Sequence, residues 1–208
     1  MAGPKIVGLG GSLRAASRSR AALEVALDGA AGAGATVELL DIRKLGLPLF
    51  NPELESDAPE AARTFVDTCH APDGMVWSSP MYNGSVSGSF KNAIDWLHML
   101  GSRDPPYLHD EVIGLISAAG GTHGLQVINT MEFSVRSLRG WAVPYVVPVS
   151  QAMHTLADSG EVQDDAIRLQ LGILGQEVVR VAQRFAQNPA LHRQTECEEA
   201  ADRVLQAA

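Results

Sequence analysis

At 208 residues the chain is long enough for one sizeable core, and its 46% hydrophobic and 19% charged composition excludes a disordered protein. A net charge of −8 leaves no basic footprint for nucleic acid beyond Arg14, Arg18 and Arg20, so a small anionic ligand in one basic pocket suits it better. Cys69 and Cys197 are too few for a disulfide framework, no signal-peptide pattern opens the chain, and no apolar run reaches membrane-spanning length; the expectation is a soluble cytoplasmic protein.

Strand-like and helix-like periods alternate along the chain. The first strand is expected over Lys5–Leu9 and the first helix over Ser17–Gly29, with Leu23, Ala26, Leu27 and Ala30 on its apolar face and Gly29, Gly32 and Gly34 ending it. A second strand covers Thr36–Leu40. The segment Arg43–Pro59, with three prolines, reads as a long surface loop that covers something. A helix over Glu60–His70 turns Ala62, Phe65, Val66 and Cys69 inward. A third strand, Gly74–Ser78, leads through the loop Ser79–Gly84 into a helix over Ser87–Leu100. A Pro-containing loop, Gly101–Asp110, precedes a fourth strand at Val112–Ser117, the loop Ala118–Gly124 and a helix over Leu125–Leu138. The fifth strand, Ala142–Val147, contains Pro144 and so belongs at a sheet edge. After a polar loop at Ser150–Gly160, a last helix runs from Asp164 to Gln187. The expected organisation is a single domain over residues 1–188, with a polar tail at 189–208.

This order predicts an α/β, three-layer, doubly wound fold. Five strands fit the flavodoxin-like order 2-1-3-4-5, which puts the second and fifth strands at the edges and agrees with Pro144. Ligands of such sheets sit at the carboxyl ends of the strands. There the loops after the first, third and fourth strands converge.

Each of those loops has an informative composition. Gly10-Gly11-Ser12-Leu13-Arg14-Ala15-Ala16-Ser17-Arg18-Ser19-Arg20 joins a strand to a helix and supplies glycines, hydroxyls, arginines and a helix N-terminus, the chemistry of a phosphate cradle. Ser79-Pro80-Met81-Tyr82-Asn83-Gly84-Ser85 can aim backbone groups at the edge of a flat polar ring. Ala118-Ala119-Gly120-Gly121-Thr122-His123-Gly124 lets a planar ligand approach the backbone. Other phosphate and nucleophile motifs fail: Leu13 breaks a Rossmann fingerprint, the first loop has no Walker lysine, and Arg14 breaks a nucleophile elbow around Ser12. Neither a His-Glu-x-x-His motif nor a Cys/His cluster suggests a metal.

The first loop resembles the phosphate-binding pattern Gly-Ser-x-Arg-x-x-Ser-x-(Asn/Ser)-Arg of the NADPH-dependent FMN reductase family. The run Ser79–Leu97 resembles that family's second signature, and Gly120-Gly121 fits its third loop. The resemblance covers about Lys5 to Val147. It implies a flavodoxin-like fold, an FMN cofactor and NADPH or NADH as reductant. Carried over by position, Ser12, Arg14, Ser17 and Ser19 would bind the FMN phosphate. Pro80, Met81, Tyr82 and Asn83 would line the isoalloxazine ring, and Ala119, Gly120 and Gly121 would close its other side. Met81 stands where the family often has Glu. The ring-facing pocket is expected to draw also on the loops at 43–59 and 101–110, partly from a neighbouring subunit.

The implied activity is hydride transfer from NAD(P)H to FMN, then onward to free flavin, to a partner monooxygenase, or to a small acceptor such as a quinone. An electron-transfer carrier or a specialised biosynthetic flavoenzyme using the same site is the alternative. No side chain is assigned as proton donor, with His123 and Tyr82 the nearest candidates. The resemblance further implies a homodimer or homotetramer, with Trp96 and Met99 candidates for an exposed apolar patch on the interface helix.

Overall fold

The computed structural model describes residues 3–70, 72–155 and 161–187. The expected polar tail, with Cys197, lies outside the described residues. Five parallel strands form the sheet in the order β2-β1-β3-β5-β6: β1 Lys5–Gly10, β2 Thr36–Asp41, β3 Gly74–Tyr82, β5 Val112–Ala118 and β6 Trp141–Val149. Numbering the five parallel strands alone, this is the expected order 2-1-3-4-5. The central strands β3 and β5 are buried on both sides almost throughout, as a sheet covered by helices on both faces requires. β6 pairs with β5 alone, and its register shifts between Ile113 and Leu115, beside the segment that carries Pro144. A proline has no N–H to donate, so an edge strand tolerates it.

One face of the sheet is covered by α1 (Arg18–Gly32) and α7 (Asp165–Ala186). The other carries α3 (Glu60–His70), α4 (Gly88–Trp96) and α5 (Leu125–Ser137) over Trp77, Phe90, Trp96 and Met131. Gly29 does not end α1, which continues to Gly32. Instead Gly29 is where α1 meets Gly172 of α7, and a methyl group at either Gly29 or Gly175 would overlap backbone of the facing helix. The two helices therefore cross at backbone contact distance.

Four other expectations change. The loop after the third strand is mostly β-structure: β3 runs on to Tyr82, Asn83 and Gly84 turn with φ of 51° and 83°, and β4 (Ser85–Val86) returns antiparallel. Two central residues with positive φ make the hairpin turn that matches strand twist. The helix expected over Ser87–Leu100 ends at Trp96 and tightens into a 3-10 stretch, Leu97–Ser102. The segment after β2 contains a short α2 (Ile42–Leu45) and a 3-10 turn at Pro52–Asp57. It is pinned to α4, because Asn92 Nδ2 and Trp96 Nε1 both donate to the Pro48 carbonyl at 2.9 Å. Trp96 is thus fully buried and Met99 packs against the core, so neither forms an exposed patch; the exposed aromatic on this side is Phe133 of α5.

Candidate functional site

The carboxyl ends of β1, β3 and β5 open into one cavity of about 210 Å³. Its wall from the first loop is Ser12, Arg14, Ala16, Arg18 and Ser19. Gly11, at φ 100°, turns the chain sharply after β1, and its N–H donates to the Ser78 carbonyl, tying the loop to β3. Ser17 then serves as N-cap of α1, its hydroxyl accepting from Arg20 N at 3.3 Å. Ser12 Oγ donates to Ser17 Oγ at 3.2 Å, and Ser17 and Ser19 Oγ lie 3.1 Å apart. These three buried hydroxyls form a chain at the start of the helix. A helix N-terminus with donors and positive partial charge, flanked by Arg14 and Arg18, attracts an anion.

Arg20 does not join that anion-binding end. Its guanidinium turns to the buried carboxylate of Asp41, Nη1 to Oδ2 at 3.4 Å, and lies 3.6 Å from Glu24. Asp41 also accepts from Arg43 N at 3.0 Å as N-cap of α2. The pair braces the first loop against the end of β2.

The second wall is Pro80, Met81 and Tyr82, the last residues of β3. Ser79 sets its course: its hydroxyl donates to the Pro80 carbonyl at 3.0 Å and accepts from Ser87 N at 3.1 Å. Ser87 in turn caps α4. Tyr82 is 47% exposed at the cavity mouth. The third wall is Ala118 and Gly120. A Cβ at Gly120 or Gly121 would meet nothing within 4 Å, so open space lies against this loop. Ser117 Oγ closes the loop from below by donating to the Gly124 carbonyl at 2.9 Å.

Of the sequence-predicted residues, Ser12, Arg14, Ser19, Pro80, Met81, Tyr82 and Gly120 line this cavity. Ser17 stands behind it as the cap. Asn83 forms the exposed hairpin turn, Ala119 is buried with its N–H on the Val149 carbonyl, and Gly121 gives its carbonyl to Gln151 N. His123 is exposed and lines a separate hollow with Gln126, Asn129 and Ser150. No residue of the loops at 43–59 or 101–110 lines the cavity. A fourth wall was not foreseen: Ala152 and Met153, on the short helix α6 (Ala152–Thr155) after β6.

The model of one protein family, NADPH-dependent FMN reductase, matches residues 4–154, which hold all four walls. The chain belongs to that family. A protein similar to it is the NADPH azoreductase of Bacillus sp. (strain OY1-2), 30% identical over 162 residues, which are 78% of this chain and 84% of the relative. A probable NADPH:quinone oxidoreductase of Oryza sativa subsp. japonica is 36% identical over 126 residues, 58% of each chain. Among solved structures, the flavoenzyme NAD(P)H:(acceptor) oxidoreductase FerB of Paracoccus denitrificans shares the fold, with a TM-score of 0.72 at 22% identity over 87% of this chain and 98% of that one.

Membership makes this FMN reductase relative a flavodoxin-like, NAD(P)H-dependent oxidoreductase that works with FMN. The residues present suit that cofactor. One end of the cavity offers hydroxyls, guanidinium groups and a helix N-terminus for a phosphate, and the other offers a β-wall facing glycines that leave room for a flat ring. Among the described residues no group of metal-ligating side chains occurs, and no helix is long and apolar enough to cross a membrane.

Proposed function

We propose that the protein is a two-electron reductase of small acceptors such as quinones, with FMN kept in the four-walled cavity as a cofactor. The overall change is NAD(P)H + H⁺ + quinone → NAD(P)⁺ + hydroquinone. Bound FMN supplies the hydride-accepting and hydride-donating chemistry. Ser12, Ser19, Arg14 and Arg18 hold its phosphate, with Ser17 and the Arg20–Asp41 pair keeping their loop in place. Pro80, Met81 and Tyr82 set the plane of the ring, and the small third loop leaves one face open to reactants.

The observation that carries this reading is the character of the lining. It holds two arginines and no carboxylate or histidine. Positive charge favours an electron-rich flavin, and the accompanying proton is exchanged with solvent at the open mouth. The quinone and azo names of the relatives support a small acceptor. The test is steady-state NADPH oxidation by the purified protein with added FMN and a benzoquinone. Turnover that needs all three components supports the reading; NADPH loss that ignores the quinone refutes it in favour of another acceptor.

The proposal includes a cytoplasmic location and self-association. A groove between α4 and α5 is lined by Ile94, Tyr107, Leu138 and the three-quarters-exposed Phe133, with Lys91 and Asp95 alongside. Its apolar floor suits a second copy of the same surface, while Lys91 and Asp95 pair with each other along α4.

A further inference from the structure

Arg14 and Tyr82 belong to two hollows at once. They line the four-walled cavity, and they also line a second, open hollow of about 410 Å³ together with Leu13, Ser87, Gly88 and Ser89. Small-molecule sites occupy about 300–1,000 Å³, so the second hollow is large enough for a ligand. Leu13, Ser87, Gly88 and Ser89 line it without lining the first. Leu13 and Tyr82 are 68% and 47% exposed, so two large apolar side chains border the hollow largely uncovered. Adjoining exposed apolar groups beside a reactive site mark a place for an apolar ligand. Among the described residues, neither the Arg14 guanidinium nor the Tyr82 hydroxyl has a hydrogen-bond or ion-pair partner. No carboxylate lines the hollow. Its floor is open too, because a Cβ on Gly88 would meet nothing within 4 Å.

We infer that the second hollow is an acceptor subsite: it receives the anionic substituent of an aromatic acceptor whose reducible ring lies over the open face of the flavin. The inference rests on the reading of the protein as a quinone-type reductase. Leu13 and Tyr82 supply apolar and aromatic surface for the substituted end of the acceptor. Arg14 supplies the charge. A guanidinium carries N–H donors around a fixed plane, so one at a shared border serves the flavin phosphate on one side and a sulfonate or carboxylate on the other. A substituent held away from the reacting carbonyls contributes binding energy that orients them. The other candidate occupant beside the ring is the distal half of NADPH. That half brings a pyrophosphate and a further phosphate on its ribose, whereas the lining offers a single cation between two apolar side chains. One negative charge on a flat ring matches it better.

The experiment is steady-state kinetics of the FMN-loaded protein with saturating NADPH and two acceptors, a naphthoquinone and its ring sulfonate, read as the ratio of their kcat/KM values. Ser89 borders the second hollow and not the first, so Ser89→Glu and Ser89→Lys change the charge of that hollow alone. Ser89→Glu is expected to lower the sulfonate-to-parent ratio by about three- to fivefold and Ser89→Lys to raise it as much, from one charge in a largely solvated site. Leu13→Ala, at an exposed position, is expected to raise KM for both quinones by roughly two- to fourfold through lost apolar contact, with FMN affinity in a fluorescence titration unmoved. Unchanged melting temperatures verify that the variants fold. A ratio that stays constant in both charge variants of an active protein overturns the subsite and leaves the reductase reading standing. A shift in KM for NADPH with the quinone ratio unmoved overturns it in favour of the reductant. A wild type that oxidises NADPH with neither quinone overturns the reductase reading, and this inference with it.

Discussion

Replacing Arg14 with alanine removes one guanidinium from the anion-binding end and leaves its scaffold in place. Arg14 lines the cavity but is an exposed residue, and among the described residues its hydrogen bond is from its backbone N–H to Ser12 Oγ. Its side chain therefore supports binding rather than folding. A hydrogen bond to a charged partner contributes about 1.5–3 kcal/mol, and exposure lowers this to about 1–1.5 kcal/mol. That is a loss of roughly 5- to 15-fold in FMN affinity. Binding persists because Ser12, Ser19, Arg18 and the α1 N-terminus remain. Riboflavin, which lacks the phosphate, is the control. Fluorescence titration of flavin-free protein should show Arg14→Ala weakening FMN by this factor and leaving riboflavin unchanged. The difference from wild type should shrink at about 1 M salt, where screening acts over about 3 Å. Equal losses for FMN and riboflavin, or no loss for FMN, would refute the assignment of Arg14 to the phosphate.

Further expectations concern the fold and its surface. Gly175→Ala forces a methyl group into the Ala26 carbonyl of α1 and should cost about 1–3 kcal/mol, whereas Gly32→Ala meets nothing and should be neutral or stabilising; thermal melts of the two variants separate them. Burial, with Asp73 adding to it, pushes the Glu111 carboxyl well above the ordinary carboxylate range. The folded state then holds a proton that the unfolded chain has released, so stability falls as pH rises from the unfolded pKa through the raised folded one. Glu111→Gln should flatten that fall and raise the melting temperature at neutral pH; a steeper or unchanged pH profile contradicts it. Phe133→Glu places a charge on the α4–α5 groove and should move the protein to a smaller species in light scattering, with flavin affinity intact. An unaltered mass would place the interface elsewhere.

Much of this was legible in the sequence because the chemistry is local. Strand-to-helix loops rich in Gly, Ser and Arg announce themselves, and so do the period of α3 and the proline of an edge strand. Features set by distant partners were not. Arg20 reads as one more cation in the first loop, but Asp41, 21 residues away, claims it. Gly29 reads as a helix stop, yet its meaning lies in Gly172 on another helix. Pro80 and Asn83-Gly84 read as a loop, while pairing of Pro80 with Ala118 and of Tyr82 with Ser85 makes them strand and hairpin. Met153 carried no signal at all. Its place depends on carbonyls of Ala119 and Gly121 more than thirty residues earlier, and the polar segment around it lacks both strand and helix period.

The central claim is that the cavity holds FMN and that NADPH reduces it there. The most direct measurement is the absorbance spectrum of the protein after loading with FMN and desalting, read anaerobically before and after NADPH. The account predicts a yellow protein whose flavin bands bleach on NADPH and return when a quinone is added. A colourless protein after desalting, or a yellow one that neither NADPH nor NADH bleaches, would contradict it.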